Sequence, residues 1–415
     1  MSKRYQILIV GGGTAGIMVA SSLLRKNPKL QLGIIEPSAC HWYQPVWTLV
    51  GGGTYSYRKS QRPMKSVIPR LADWIQDSVV SVDAENNRVS TQNGKEYRYE
   101  YLVMAPGLKL DPSLIEGLPE VLDKGVVCSN YTDPNHTWDV IKKFNGGTAL
   151  FVQPPKPYKC GGAPQKIMYL ADDYFRRRGI KKKTNVVFAS AADAIFAVPE
   201  IAKTLWKVVH RKKINVKFGH ELKKIDGLNR VAWFKATPNF EEHNPIALDI
   251  SERDGLVGIK YDMIHVVPIN TPPDFVKGTN LVDENGWLDV DPATLQHRRF
   301  DNVFGLGDAS NVPTSKTGAA IRKQAPVVVE NLLGLIKSNT LSTKTYDGYS
   351  SCPFITGYGK MVLAEFDYSK KFLPDPKLKR LFIKDSSKEH WRLWVLKKYI
   401  LPWLYWTKML KGKEV

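Results

Sequence analysis

The chain has 415 residues, 43% of them hydrophobic and 24% charged, which is too much for one small core and excludes wholesale disorder. Four cysteines are too few for a disulfide-built scaffold, and no stretch reaches the roughly 18–20 uninterrupted apolar residues of a membrane-spanning helix. The formal net charge of +20 calls for a polyanion or an acidic substrate, without choosing among nucleic acid, anionic lipid and small anions.

No secretory signal peptide is expected. Residues 1–5 run straight into residues 6–10, an apolar run shorter than a signal h-region and followed at once by glycines. Residues 6–10 read as a buried parallel strand. Gly11, Gly13 and Gly16 then form a Gly-x-Gly-x-x-Gly pattern, with Thr14 and Ala15 inside it. A helix follows, with Ile17, Ala20, Leu23 and Leu24 on one face, and a second strand at 32–35 ends in Glu36. The glycines permit a tight turn and close backbone approach to a pyrophosphate at the helix N-terminus, and an acid at Glu36 can bind ribose hydroxyls. The glycine pattern alone is weak; strand, glycines, helix, strand and acid in that order predict a dinucleotide site.

Two later segments favour FAD. Residues 101–107 are a strand entering a small turn at Ala105, Pro106 and Gly107, and residues 302–308 are a strand ending Gly307-Asp308. Such an Asp can accept a hydrogen bond from a ribityl hydroxyl. A helix from 318 to 333 could present its N-terminal turns to the flavin. Together these segments resemble the two-dinucleotide-binding-domain flavoprotein superfamily. That resemblance implies an α/β fold of two Rossmann-like domains with FAD held by Gly11, Gly13, Thr14, Ala15, Gly16, Glu36, Ala105, Gly107, Asp308 and Lys316. The second domain lacks the matching glycines. Its first strand, 148–152, leads into Gln153-Pro154-Pro155-Lys156-Pro157-Tyr158-Lys159-Cys160, and its next, 185–189, into Ser190-Ala191-Ala192-Asp193. NAD(P)H is therefore not expected to bind there.

Cys160 precedes a helix with Pro164 in its first turn, a stripe of Ile167, Leu170 and Tyr174, and Arg176 to Gly179 at its end. A thiol at a helix N-terminus near Lys159 and Lys166 has its thiolate favoured. Cys352 lies in a Ser-Cys-Pro-Phe run far along the chain, and spacing cannot show that the two cysteines meet. Cys128, after Val126 and Val127, reads as a buried structural thiol in preference to a catalytic or flavin-linked one, and Cys40 as a bystander. No His/Cys spacing suggests a metal site.

Four stretches carry a closer resemblance: residues 159–170 (KCGGAPQKIMYL), 293–297 (ATLQH), 313–317 (PTSKT) and 351–358 (SCPFITGY). They closely resemble sulfide:quinone oxidoreductases of the mitochondrial and related bacterial type. The resemblance implies that Cys160 and Cys352 are a redox pair beside the flavin. Hydrosulfide would attack their disulfide or sulfur bridge, with Cys352 carrying the outgoing sulfur and Cys160 facing FAD. Lys166 and Lys316 are candidates for stabilising anionic sulfur or reduced flavin, against a reading as solvated lysines. Phe354 and Tyr358 are candidates for flanking the quinone ring. The implied partners are sulfide, membrane quinone, a small sulfur acceptor (thiol, sulfite or sulfide) and anionic lipid, with no nucleic acid.

The last forty residues carry Trp391, Trp394, Trp403 and Trp406 among leucines and lysines, with Pro402 expected to break or kink the segment. Two short amphipathic helices there read as a monotopic anchor on a bacterial cytoplasmic membrane or, for a trimmed chain, the mitochondrial inner membrane. The expected organisation is an FAD domain at 1–118 and 256–345, a second Rossmann-like domain at 119–255, and a C-terminal redox-cysteine, quinone and membrane region at 346–415. The strand at 263–268 is expected to mark the return to the FAD domain. The competing readings are a type II NADH dehydrogenase, disfavoured by the missing glycines, and a flavocytochrome c type sulfide dehydrogenase, disfavoured by the aromatic tail. A nucleic-acid-binding flavoprotein is permitted by the charge but leaves the cysteines unexplained.

Overall fold

A computed structural model describes residues 3–238, 240, 242–380 and 382–414. The first strand, β1 (Lys3–Val10), is buried from Ile7 onward because it lies between two parallel neighbours. It turns through the glycines into α1 (Thr14–Lys26), then β2 (Leu32–Ile35) and, later, β3 (Glu96–Met104). β4 (Gly147–Gln153), α2 (Ala163–Arg177) and β5 (Thr184–Ser190) form a second β–α–β unit. β6 (Val303–Gly305) precedes the long helix α3 (Gly318–Ser338), and β7 (Ser350–Gly357) pairs antiparallel with β8 (Lys360–Phe366).

The first sheet has the order Asp73–Ile75, β2, β1, β3, Arg88–Thr91, Val79–Asp83, with β6 parallel to β3. The second, six-stranded sheet centres on β4 and β5, and a four-stranded antiparallel sheet adjoins it in sequence. The expected return to the first sheet at 263 does not occur there. Leu256–Lys260 pairs within the four-stranded sheet, and Met263–His265 pairs with β4. The chain rejoins the first sheet at β6. Short apolar runs fit either parallel sheet, and only register decides between them.

α1, α3 and the C-terminal segment share one core, which includes Ile17, Leu24, Val328, Leu332, Leu393, Tyr405 and Leu410. A second core gathers α2 with β7 and β8 and includes Ile167, Met168, Cys352 and Phe354. The C-terminal segment corrects the expectation of two helices broken at Pro402. Residues 391–407 are helical throughout, with a π-helical turn at Leu396–Ile400 immediately before Pro402. Proline lacks an N–H and its ring crowds the preceding turn; here the wider turn sits where that conflict falls, and the helix continues. Among the described residues no helix is long and apolar enough to cross a membrane.

Candidate active site

The glycine turn is dictated by close backbone approaches. Gly11 has φ +103°, and a Cβ there would stand 2.3 Å from the Ala105 carbonyl oxygen; at Gly16 it would stand 1.9 Å from that of Gly11. A Cβ on Gly13 or Gly107 would meet nothing within 4 Å. The face of the turn is thus open where a pyrophosphate approaches the N-terminus of α1. Glu36 ends β2 with its carboxylate accepting from the Gly12 and Ser38 backbone N–H groups at 2.8 Å each. Burial pushes its carboxyl up, against those two donors. Asp308 lies in the turn after β6, and Gly307 packs on Ala15. Burial pushes the Asp308 carboxyl up while Lys159 and Lys316 pull it down, and no described residue hydrogen-bonds it. An open glycine cradle, an acid at the end of β2 and a half-buried carboxyl at Asp308 that no described residue hydrogen-bonds fit FAD.

Cys160 occupies the loop before α2 with a left-handed φ of +52°, an uncommon conformation for a non-glycine residue. Its N–H donates to the Lys316 carbonyl at 3.0 Å, so the loop is tied to the approach of α3. β7 brings Cys352 to it across 192 residues of sequence, and the two thiols are within hydrogen-bonding reach. Both are free, and Cys352 is 3% exposed. Gly162 makes this approach possible: a Cβ there would stand 2.9 Å from the Cys352 Sγ and 2.5 Å from the Phe354 ring. Lys166, one turn into α2, donates to the Cys160 Sγ at 3.1 Å. The hydrogen bond from Cys352, and then Lys166, hold the Cys160 thiol well below its usual range despite burial. The Cys352 thiol is raised, first by serving as donor to Cys160 and then by burial. Burial alone would lower Lys166, but the anionic sulfur holds it above the ordinary lysine value. The reduced pair is therefore polarised, with a thiolate at Cys160 and a thiol at Cys352.

Residues 5–142 match the pyridine nucleotide-disulphide oxidoreductase family. The chain is 39% identical to the mitochondrial sulfide:quinone oxidoreductase of Mus musculus over 413 residues, covering 99% of this chain and 87% of that protein. It is 44% identical to the mitochondrial enzyme of the same name from Dictyostelium discoideum, covering 98% and 86%. The chain belongs to the sulfide:quinone oxidoreductase family. The solved sulfide:quinone oxidoreductase of Aquifex aeolicus superposes with a TM-score of 0.74 over 99% of this chain and 92% of that one, at 19% identity, and shows the shared fold. The family is FAD-dependent.

The remaining residues singled out from the sequence take varied places in this family member. Lys316 does not reach toward the sulfurs. Its Nζ donates to the Asp308 and Ser310 carbonyls at 2.7 and 2.8 Å and lies 3.9 Å from the Trp287 ring centroid. Burial lowers it to about 8, against the attraction of Asp308. Phe354 is fully buried beside the cysteines, packed edge-on against Phe196. The Tyr358 hydroxyl is tied to the Gly52 carbonyl at 2.8 Å, with Arg177 stacked 4.1 Å from its ring centroid. Cys128 is fully buried and its thiol is pushed up by that burial.

Three residues on or near the site were not singled out. His41, beside the supposed bystander Cys40, is buried and held at about 4 by burial, hence neutral. Its Nδ1 contacts the Gly12 carbonyl oxygen at 3.1 Å, and its Nε2 contacts the Tyr405 hydroxyl at 2.5 Å. Tyr405 in turn meets the Thr14 Oγ at 2.8 Å. The C-terminal helix thus touches the glycine turn. Lys397, on the same helix, is 3% exposed and lies within electrostatic reach of Lys166 and the two cysteines. Its signal was helical phase: it follows the buried Leu393 by four residues, on the apolar stripe.

Proposed function

We propose that this protein is a peripheral membrane flavoenzyme that oxidises sulfide at Cys160 and Cys352 and passes two electrons through FAD to membrane quinone. The polarised Cys160–Cys352–Lys166 group, beside a cradle that fits FAD, carries this reading. In the oxidised enzyme hydrosulfide attacks the Cys352 sulfur of a Cys160–Cys352 disulfide. The S–S bond breaks, its electron pair leaves with Cys160 as a thiolate, and Cys352 holds the new sulfur as a persulfide. A small acceptor (thiolate, sulfite or sulfide) removes the outer sulfur and leaves Cys352 as a thiolate. Reforming the disulfide releases two electrons. FAD, when bound, would supply the two-electron acceptor for that pair and the donor to quinone. Lys166 stabilises Cys160 at the stages where it is a thiolate.

The membrane part of the reading rests on the outer face of the C-terminal helix. Trp391, Tyr399 and Trp403 are 59%, 59% and 55% exposed, with Ile400 between them and Arg392 and Lys398 alongside. Exposed aromatics interleaved with cations suit a helix lying in the plane of an anionic interface. The relatives are named as mitochondrial enzymes, which supports a mitochondrial membrane as the partner surface; a bacterial cytoplasmic membrane offers the same chemistry. The division of the chain proposed with it is an FAD-binding domain, a second Rossmann-like domain without an NAD site, and a C-terminal redox and membrane region. Anaerobic addition of sulfide is expected to bleach the flavin absorbance, and decylubiquinone to restore it. A flavin that stays oxidised at every sulfide concentration overturns the reading.

A further inference from the structure

The second sheet opens its carboxyl edge on Cys160. Val127–Cys128, Met263–His265, β4 and β5 are consecutive parallel neighbours in it. Their C-terminal ends therefore emerge together, at the edge where an α/β sheet holds a ligand. The chain leaving the first three carries Tyr131, Asn270 and Cys160. Those three meet. The buried Tyr131 hydroxyl donates to the Lys159 carbonyl at 3.0 Å and to the Cys160 carbonyl at 3.3 Å. The Lys159 N–H donates to the Asn270 Oδ1 at 2.9 Å, and the Asn270 Nδ2 is fixed in turn by donating to the Pro268 carbonyl at 2.8 Å. Tyr131, Ala163 and Val267 make a small core of their own, with Cys160 packed against it.

These contacts bracket the backbone torsions of Cys160. The peptide unit between Lys159 and Cys160 is held at its oxygen by Tyr131 and at its N–H by the Lys316 carbonyl, and the plane of that unit sets φ. The Cys160 carbonyl accepts from the Ala163 N–H at 2.8 Å as well as from Tyr131, which fixes ψ. A left-handed φ of +52° on a residue with a side chain persists only where the surroundings over-determine it. We propose that Tyr131, supported by Asn270, is a positioning residue of the sulfur site, which locks Cys160 in the left-handed conformation that keeps its sulfur within reach of Cys352. The inference rests on the reading of Cys160 and Cys352 as the redox pair and deepens it. With the lock in place, a Cys160 thiolate released by sulfide stays poised to re-form the S–S bond. Without it, the reduced loop gains conformations in which the two sulfurs part, and these favour the dithiol over the disulfide.

The test compares the wild-type holoenzyme with Tyr131→Phe, which keeps the ring and removes the donor, and with Asn270→Ala. Thr184→Val is the control. It deletes a buried hydroxyl that donates to the Ile180 carbonyl at 2.9 Å, at the start of β5 and so at the opposite edge of the same sheet. Each protein is equilibrated anaerobically with reduced and oxidised dithiothreitol, trapped in acid and scored by mass for the Cys160–Cys352 disulfide. Tyr131→Phe is expected to shift that equilibrium about tenfold toward the dithiol, which is about 30 mV for a two-electron couple. Asn270→Ala should shift it in the same direction, and Thr184→Val should leave it within about twofold of wild type. In the reduced proteins, the pH midpoint of Cys160 alkylation by iodoacetamide should rise by about one unit in Tyr131→Phe and stay in place in Thr184→Val, because a loosened loop carries the sulfur away from Lys166. The same disulfide equilibrium in wild type and Tyr131→Phe, or an equal shift in Thr184→Val, overturns the assignment. A wild-type flavin that sulfide does not reduce overturns the functional reading instead, while the dithiothreitol equilibrium still decides the role of Tyr131.

Discussion

Cys160 and Cys352 act as one chemical unit, because each sets the protonation of the other. Cys160→Ser removes the thiolate that Lys166 holds, and Cys352→Ser removes the sulfur that would carry the persulfide. Both variants are expected to keep FAD, since neither sulfur belongs to the glycine cradle. Both are expected to lose sulfide-dependent flavin reduction by about 10³-fold or more, and by similar factors, as residues acting as a unit do. Stopped-flow reduction under nitrogen measures this; a variant within tenfold of wild type removes the dithiol relay. The two sulfurs were unequally legible. Cys160 stood out in its own neighbourhood, among Lys, Gly and Pro ahead of a helix. Cys352 had no local signal, because a strand pairing decides what it faces and spacing does not encode that pairing. Lys397 was lost among the tail lysines, which look alike until helical phase separates the buried one from those that reach water.

At the scale of elements, the helix at 391–407 is more than an appendage. Its inner face carries Leu393, Lys397 and Tyr405, and the Leu410 carbonyl just beyond it accepts a hydrogen bond from Ser21 of α1. Tyr405 packs against Tyr43, tilted by 36° with centroids 4.3 Å apart, while its hydroxyl joins His41 and Thr14 at the glycine turn. Tyr405→Phe keeps the ring and removes those hydrogen bonds, worth about 1 kcal/mol each. FAD is then expected to dissociate about tenfold faster, read as flavin fluorescence released in mild urea; unchanged release would make the contact simple packing. The effect should be flat from pH 5 to 8, because His41 stays neutral above about 4. The folded value lies below the ordinary histidine value, so the unfolded chain binds more protons between them. The stability this site contributes therefore rises with pH across that window and is lost as pH falls through it. The β–α–β order at the N-terminus and the helix after Cys160 could be read from periodicity and glycines. The continuity of the helix past Pro402 could not, because a single π turn absorbs a break that proline would otherwise impose. The placement of Met263–His265 escaped for a different reason: a three-residue apolar strand carries no mark of which sheet it will join.

Across the whole molecule, the proposed function puts the two ends of the reaction on different supports. On the proposed function the sulfur end is built from α2 and β7, while the exposed aromatics on the outer face of the C-terminal helix would meet lipid. The second sheet contributes the Cys160 loop where a dinucleotide-binding domain would place glycines, so NADH is expected to leave the flavin oxidised; rapid anaerobic bleaching by NADH would restore the dehydrogenase reading. Removing the tail outright is a poor probe of membrane attachment, because it would also uncover Leu393, Tyr405 and Leu410 and take away Lys397. Substituting the outward aromatics alone separates the roles. Trp391→Ser, Tyr399→Ser and Trp403→Ser together touch neither the glycine turn nor the cysteines. Burying a large side chain is worth roughly 1.5–3 kcal/mol, and three lost at the interface exceed the about 1 kcal/mol that each nearby lysine contributes on an anionic surface. The triple variant is expected to stop floating with anionic liposomes and to lose most of its turnover with a long-chain quinone held in those liposomes. Sulfide should still reduce its flavin at the wild-type rate, because sulfide arrives through water and meets an unaltered site. Equal loss in both half-reactions would mean that these aromatics support the fold; no loss in either would mean that quinone enters by another face.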